Sequence, residues 1–244
     1  MSGNGRVIQK STVTLDEIPL TIEVERKRIR HIYLHVKPGA RVLISAPLRF
    51  TDAEIISFAR AKTDWLIKQL ESMKDVRERP PRQYESGEIM YVWGQPYVLM
   101  FLPDKSRSLS FREGEARLSM PGNASRNMRE SFVKGQMKLR LHRAIAMRLP
   151  VWEKDMGLYA RSFTVRDMKS RWGSCNIATA RLTFNLDLIR LDPICLDYIC
   201  VHELAHLRHS RHNKAFWDLV AAHIPDWKTT RAVLNRAEQD LLQI

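Results

Sequence analysis

The chain has 244 residues, enough for one large domain or two small ones and long enough to bury a core. Its 44% hydrophobic and 27% charged residues are ordinary for a soluble globular protein. With 40 Lys and Arg against 27 Asp and Glu, the formal net charge is +13, dispersed as +5 over residues 1–122 (20 minus 15) and +8 over 123–244 (20 minus 12). The opening MSGNGRVIQK lacks an apolar signal region, and no run approaches the ~18 apolar residues of a membrane span, so no membrane association is expected. The three cysteines, Cys175, Cys195 and Cys200, form no CxxC pair, which argues against a disulfide framework and for a reducing cytoplasm. A dispersed cationic surface favours anionic partners such as nucleic acid, nucleotides or acidic lipid, with a merely solvated basic surface weighing equally against them.

Residues 6–47 read as strands. Thr12, Thr14 and Leu15, then Leu20, Ile22 and Val24, alternate across a turn at Asp16-Glu17, and Ile32, Leu34 and Val36 alternate before a turn at Lys37–Ala40 and a further strand through Val42 and Ile44. Residues 51–73 switch to helical spacing, with Thr51 as cap and Glu54 in the capping-box position. Arg77–Gln83 is a charged connector, and residues 88–120 return to short strands with a turn at Trp93-Gly94-Gln95-Pro96. Ser125 opens a long helix to about Met156, expected to be interrupted near Pro150. Strands at 162–168 and 181–186 precede helices at about 193–209, 213–223 and 226–242, the first capped by Asp192 with Pro193 in its first turn. The fold class expected is α+β: a β-rich N-terminal domain over 1–122, then a helical domain with a small sheet over 123–244, the boundary falling near Pro121-Gly122-Asn123.

The run Val201-His202-Glu203-Leu204-Ala205-His206-Leu207 carries the chemistry. Residues four apart share a helix face, so His202 and His206 can present two imidazoles to one ion. Glu203 stands beside them, placed to take a proton from a water whose pKa the ion lowers to about 7. With 8 His and 14 Glu in 244 residues, chance supplies roughly 0.015 copies of this pattern. Catalytic zinc takes three protein ligands and leaves one position open. On a continuous helix His209 would lie ~10.5 Å along the axis from His202, too far to share an ion with it. His212, beyond Ser210-Arg211 where the helix can end, is preferred as third ligand; Asp218, Asp226 and Glu238 are the alternatives, while His209 and His223 read as surface or supporting groups.

At this point the chain resembles the YgjP-like predicted metal-dependent hydrolases, relatives of the SprT-like zinc metallopeptidases. The likeness is carried by Ser170-Arg171-Trp172-Gly173-Ser174-Cys175, by Leu182-Thr183-Phe184-Asn185, and by His202-Glu203-Leu204-Ala205-His206 followed after five residues by His212 and then Phe216-Trp217. It implies a zincin-like C-terminal half, a Zn2+ ion, or another divalent transition metal, on His202, His206 and His212, and Glu203 as general base. One departure is Leu186-Asp187, where the family often has Trp-Arg.

Arg171 and Ser174, between two expected strands, are candidates to grip substrate or stabilise an oxyanion. The structural alternative has Gly173 making a turn and Trp172 packing in the core. Cys175 reads more readily as a small buried residue than as a redox or metal-linked thiol. The cations of the helix from Ser125 (Arg126, Arg129, Lys134, Lys138, Arg140, Arg143 and Arg148) could track a phosphate backbone or simply form a solvated face. Three functions follow: a zinc hydrolase of metallopeptidase type acting on peptides or proteins, a metal-dependent nucleoside triphosphate hydrolase suited to the basic balance, and a nucleic-acid-associated protein with a structural metal site.

Overall fold

The computed structural model describes residues 6–15, 20–73, 82–169 and 171–241; the turn expected at Asp16-Glu17, most of the connector Arg77–Gln83, and Ser170 lie outside them. By contacts the chain divides into two compact units, Met1–Pro80 with Asp240–Ile244, and Pro81–Gln239. No helix among the described residues is long and apolar enough to cross a membrane.

In the first unit, period-2 alternation becomes strands β1 (Val7–Leu15), β2 (Leu20–Lys27), β3 (Tyr33–Lys37) and β4 (Arg41–Pro47), ordered β1-β2-β4-β3. Val13 opposes Ile22 in the β1–β2 register and Val24 opposes Ile44 in β2–β4, so the apolar residues fall on one face. That face buries against Ile55, Ala59 and Leu66. The capping box forms as expected, with Thr51 accepting from the Glu54 amide. The helix expected over 51–73 is two, α1 (Asp52–Arg60) and α2 (Thr63–Met73). The break comes where the Thr63 hydroxyl donates to the Arg60 carbonyl at 2.8 Å, a side-chain bond that competes with helix propagation.

The second unit holds a sheet ordered β5-β6-β8-β7, from β5 (Ile89–Val92), β6 (Gln95–Pro103), β7 (Ser108–Arg112) and β8 (Glu115–Met120). Helix α3 (Arg126–Met156) follows, running through Pro150 without the expected interruption and stopped by Gly157 at φ 62°. A three-stranded sheet, β10-β11-β9, combines β9 (Ser162–Arg166), β10 (Gly173–Asn176) and β11 (Arg181–Asn185), and α4 (Pro193–Ala205), α5 (Lys214–His223) and α6 (Trp227–Leu241) close the chain. The architecture is α+β.

The compact division falls at Pro80, well before residue 122, because α3 is bonded to the strands that precede it. Arg126 Nε donates to the Arg82 carbonyl at 2.8 Å, Arg129 Nη1 to the Tyr84 carbonyl at 3.2 Å, and Arg140 Nη2 to the Leu109 carbonyl at 3.0 Å. The Arg129 and Arg140 guanidiniums also lie over the Phe101 and Phe111 rings. Arg148 pairs with Asp197, which accepts from Trp152 Nε1 as well, tying α3 to α4. Much of the cationic stripe on α3 is therefore consumed inside the fold rather than offered to a phosphate backbone.

Candidate metal centre

Helix α4 is positioned from its first turn. Asp192 accepts from the Ile194 amide at 2.9 Å, with Pro193 supplying a pre-set φ where no donor is needed. The β5–β6 hairpin tip braces this start: the amides of Trp93 and Gly94 donate to the Ile189 and Arg190 carbonyls at 2.7 and 3.3 Å. Glycine suits the site, since at φ 78° a Cβ on Gly94 would also stand 3.4 Å from the Asp192 nitrogen. The helix is buried nearly all round, through Cys195, Leu196, Tyr198, Ile199, Cys200, Val201, Leu204 and Ala205, which fixes the rotation of its functional face.

The helix ends earlier than the expected 209. Ala205 is its last residue and His206 its C-cap, with the Leu207 and Arg208 amides turning back to Leu204 and Ala205. The axial-distance argument against His209 assumed a helix that is not there. His209 still stands outside the cluster, its backbone carbonyl 3.1 Å from His206 Nδ1. The chain then returns through His212 into α5, whose cap Asn213 accepts from the Phe216 amide at 3.0 Å.

Among the described residues, the group of His, Cys, Asp and Glu side chains that could hold an ion is His202, His206 and His212, one nitrogen from each lying within 4.8 Å of the others. His202 Nε2 and His212 Nε2 are 3.1 Å apart. Two nitrogens on one tetrahedral zinc, each at ~2.0–2.1 Å, would be about 3.3 Å apart, so the donor set fits a divalent ion. When His206 Nδ1–H donates to the His209 carbonyl, its Nε2 lone pair is left free; Tyr198 Oη, 3.5 Å from His202 Nδ1, can act likewise on that ring. Phe216, fully buried, forms the floor, 4.7 to 5.0 Å between ring centroids from all three imidazoles. Burial first, then the neighbouring imidazoles and Arg231, lowers the His202 pKa to about 3, keeping that ring neutral as a metal ligand must be.

Of the alternative ligands, Asp218 is paired with Lys214, Asp226 is outside the cluster, and the Glu238 side chain is outside the described part of the chain. His223 is bonded to Asp155 at 2.7 Å.

Glu203 is 4% exposed, and its Oε2 has no partner. Burial pushes its pKa up to about 8, with the Arg171 charge opposing. An orphaned buried carboxylate oxygen is costly unless something absent from the protein satisfies it. Gly173 explains how the carboxylate fits: a Cβ there would lie 2.5 Å from Glu203 Oε1 and 2.9 Å from Cδ. Gly173 is thus not a turn residue but the first residue of β10, paired with Phe184 and bare so that the strand can approach α4.

Strand alternation then sorts its neighbours. Cys175 shares the Gly173 side; burial and then the Glu203 charge push its thiol up to about 11, far from a reactive thiolate. Ser174 takes the opposite face, away from Glu203. Trp172 is buried, its Nε1 donating to the Leu234 carbonyl at 3.2 Å. Arg171 is exposed, but its carbonyl accepts from Asn185 Nδ2 at 2.9 Å, and the same Nδ2 donates to the Met168 carbonyl. Asn185 so latches the 168–171 segment to β11, a role that the motif contains but spacing does not reveal. Leu186 and Asp187 lie in a 3-10 turn where Asp187 pairs with Arg190.

Sequence reasoning missed Arg231 altogether. Its guanidinium lies 5.1 Å from the centre of Trp217, which stacks on His212 at 5.4 Å and on Trp227 at 4.2 Å. The one local hint is a cation four residues after an aromatic on α6.

The model of a family described as the YgjP-like metallopeptidase domain matches residues 30–237. No curated protein matches. Among solved structures, the metallopeptidase zymogen of Pyrococcus abyssi abylysin is similar at 22% identity and a TM-score of 0.37, over 39% of this chain and 95% of that one.

Proposed function

The chain belongs to the YgjP-like metallopeptidase family and is a metal-dependent hydrolase, and from that premise we propose a zinc peptidase in which His202, His206 and His212 hold the ion and Glu203 is the general base. The observation that carries the reading is the unpartnered, buried Oε2 of Glu203, the residue after His202 on α4, together with the three convergent imidazoles. When bound, the ion supplies a Lewis acid and lowers the pKa of water.

The protein's own groups divide the remaining work. Glu203 accepts a proton from the attacking water at Oε2 and can return it to the leaving amine. Burial raises the Glu203 carboxyl in the metal-free protein, and a divalent ion held by the three imidazoles would favour its charged, proton-accepting form. Phe216 and the apolar body of α4 exclude bulk water from one side. Strand β10 is at the edge of its sheet, and an extended peptide pairing along it would be carried past Gly173 toward Glu203. Arg171 remains a candidate to grip substrate, by its charge at Glu203; Ser174 is the weaker candidate, since alternation turns it away. The activity is assigned to the unit Pro81–Gln239, which contains the whole cluster.

The test is turnover of zinc-loaded protein against a peptide library and against nucleoside triphosphates, with Glu203→Gln as control. Peptide cleavage falling by ~10²-fold or more in the variant is expected. Hydrolysis of triphosphates alone, or turnover indifferent to Glu203→Gln, would overturn the proposal.

A further inference from the structure

Beside the imidazole cluster stands a cation that neither the metal nor the general base uses. Arg231 is exposed, and no carboxylate pairs with it among the described residues. It is nevertheless held in place. Its guanidinium lies 5.1 Å from the Trp217 ring centre, and Trp217 is clamped between Trp227, stacked at 4.2 Å and 14°, and His212, stacked at 5.4 Å and 24°. A cation–π contact of this kind restrains a guanidinium while leaving its N–H groups free to bond. Of the two acids between the start of α5 and Arg231, Asp218 is paired with Lys214 and Asp226 makes no ion pair with Arg231 among the described residues. A guanidinium with unused donors, one ring away from the triad through Trp217, is the arrangement that recognises a planar oxyacid group in two parallel hydrogen bonds.

We infer that Arg231 is a specificity-determining residue that binds a carboxylate of the substrate, either the C-terminal group or an acidic side chain, close to the scissile bond. This rests on the zinc peptidase reading. A free carboxylate bonded to the Arg231 guanidinium beside Trp217 anchors the peptide while its neighbouring amide reaches the ion and Glu203. Arg231 takes no part in proton transfer. Its contribution is to binding and register, so replacing it raises KM for acidic peptides and leaves neutral ones alone.

Three small chelators test this on the zinc-loaded full chain by calorimetry: a succinic monohydroxamate with a free carboxylate, its neutral amide counterpart, and phosphonoacetohydroxamate. The hydroxamate reports the ion, and the second group reports the arginine. Wild type is expected to bind the carboxylate form about tenfold or more tighter than the amide. Arg231→Gln should bind both at the amide's level, and Arg231→Lys should recover only part of the preference, since a point charge lacks the fork. Zinc content and thermal melting of each variant establish that it is folded and loaded. Equal binding of acid and amide by wild type, or a preference that persists in Arg231→Gln, overturns the inference while leaving the peptidase reading intact. A phosphonate preferred over the carboxylate, and lost in Arg231→Gln, overturns the carboxylate assignment. Failure of all three to bind loaded protein overturns an open position on the ion, and with it both the peptidase reading and the inference.

Discussion

At the scale of single residues, Glu203 is an acid whose surroundings oppose its charge. The folded protein favours its neutral form, so in metal-free protein the stabilising situation holds below the ordinary carboxylate range and is lost as pH rises toward about 8. Glu203→Gln removes that dependence. Urea melts of chelator-treated protein should show wild type and variant alike near pH 4, and the variant more stable at pH 8 by roughly 2–4 kcal/mol. Equal stabilities at both pH values would mean that the carboxylate is better solvated than its burial indicates. The readable part of this site was the local part. His202, Glu203 and His206 are one helical turn, and their spacing alone brings them together. Arg231 is brought to the same place through Trp217, a residue on a different helix, and no sequence spacing encodes that.

Among the elements, β10 decides how close a strand can come to the metal helix. The sequence suggested a turn at Gly173, because glycine between two strands usually marks one. The structure uses it instead for close approach, where even a methyl group meets Glu203 Oε1 at 2.5 Å. Gly173→Ala must therefore move the strand or the carboxylate. It should lower peptide turnover at least tenfold while the protein keeps its zinc, because the three imidazoles are on α4 and the segment before α5 rather than on β10. Unchanged turnover with full zinc would show that the Glu203 position is not critical. Caps were the most legible features of the elements: Thr51, Ser125, Asp192 and Asn213 each accept a backbone amide as helix starts require, and the first three were anticipated. The end of α4 was not, since no glycine or proline punctuates Leu207-Arg208; the turn there carries a local bond from the His206 ring to the His209 carbonyl.

Over the whole molecule, the α+β class followed from the switch between period-2 and helical spacing, and the family from three motifs within residues 170–217. The division of the chain did not follow. A Pro-Gly turn at 121–122 marks a change of element, but the arginines of α3 bond back across it, and such long-range pairs are invisible to composition. The same pairs reduce what the +13 balance implies about polyanions, because formal charge does not distinguish a guanidinium committed to a carbonyl from a free one. The central claim is that His202, His206 and His212 hold the ion and that Glu203 does not. Elemental analysis of purified protein measures this directly. The account predicts about one divalent ion per chain in wild type and in Glu203→Gln, and none in the His202→Ala/His206→Ala double variant. Equal metal in the double variant and wild type would contradict it.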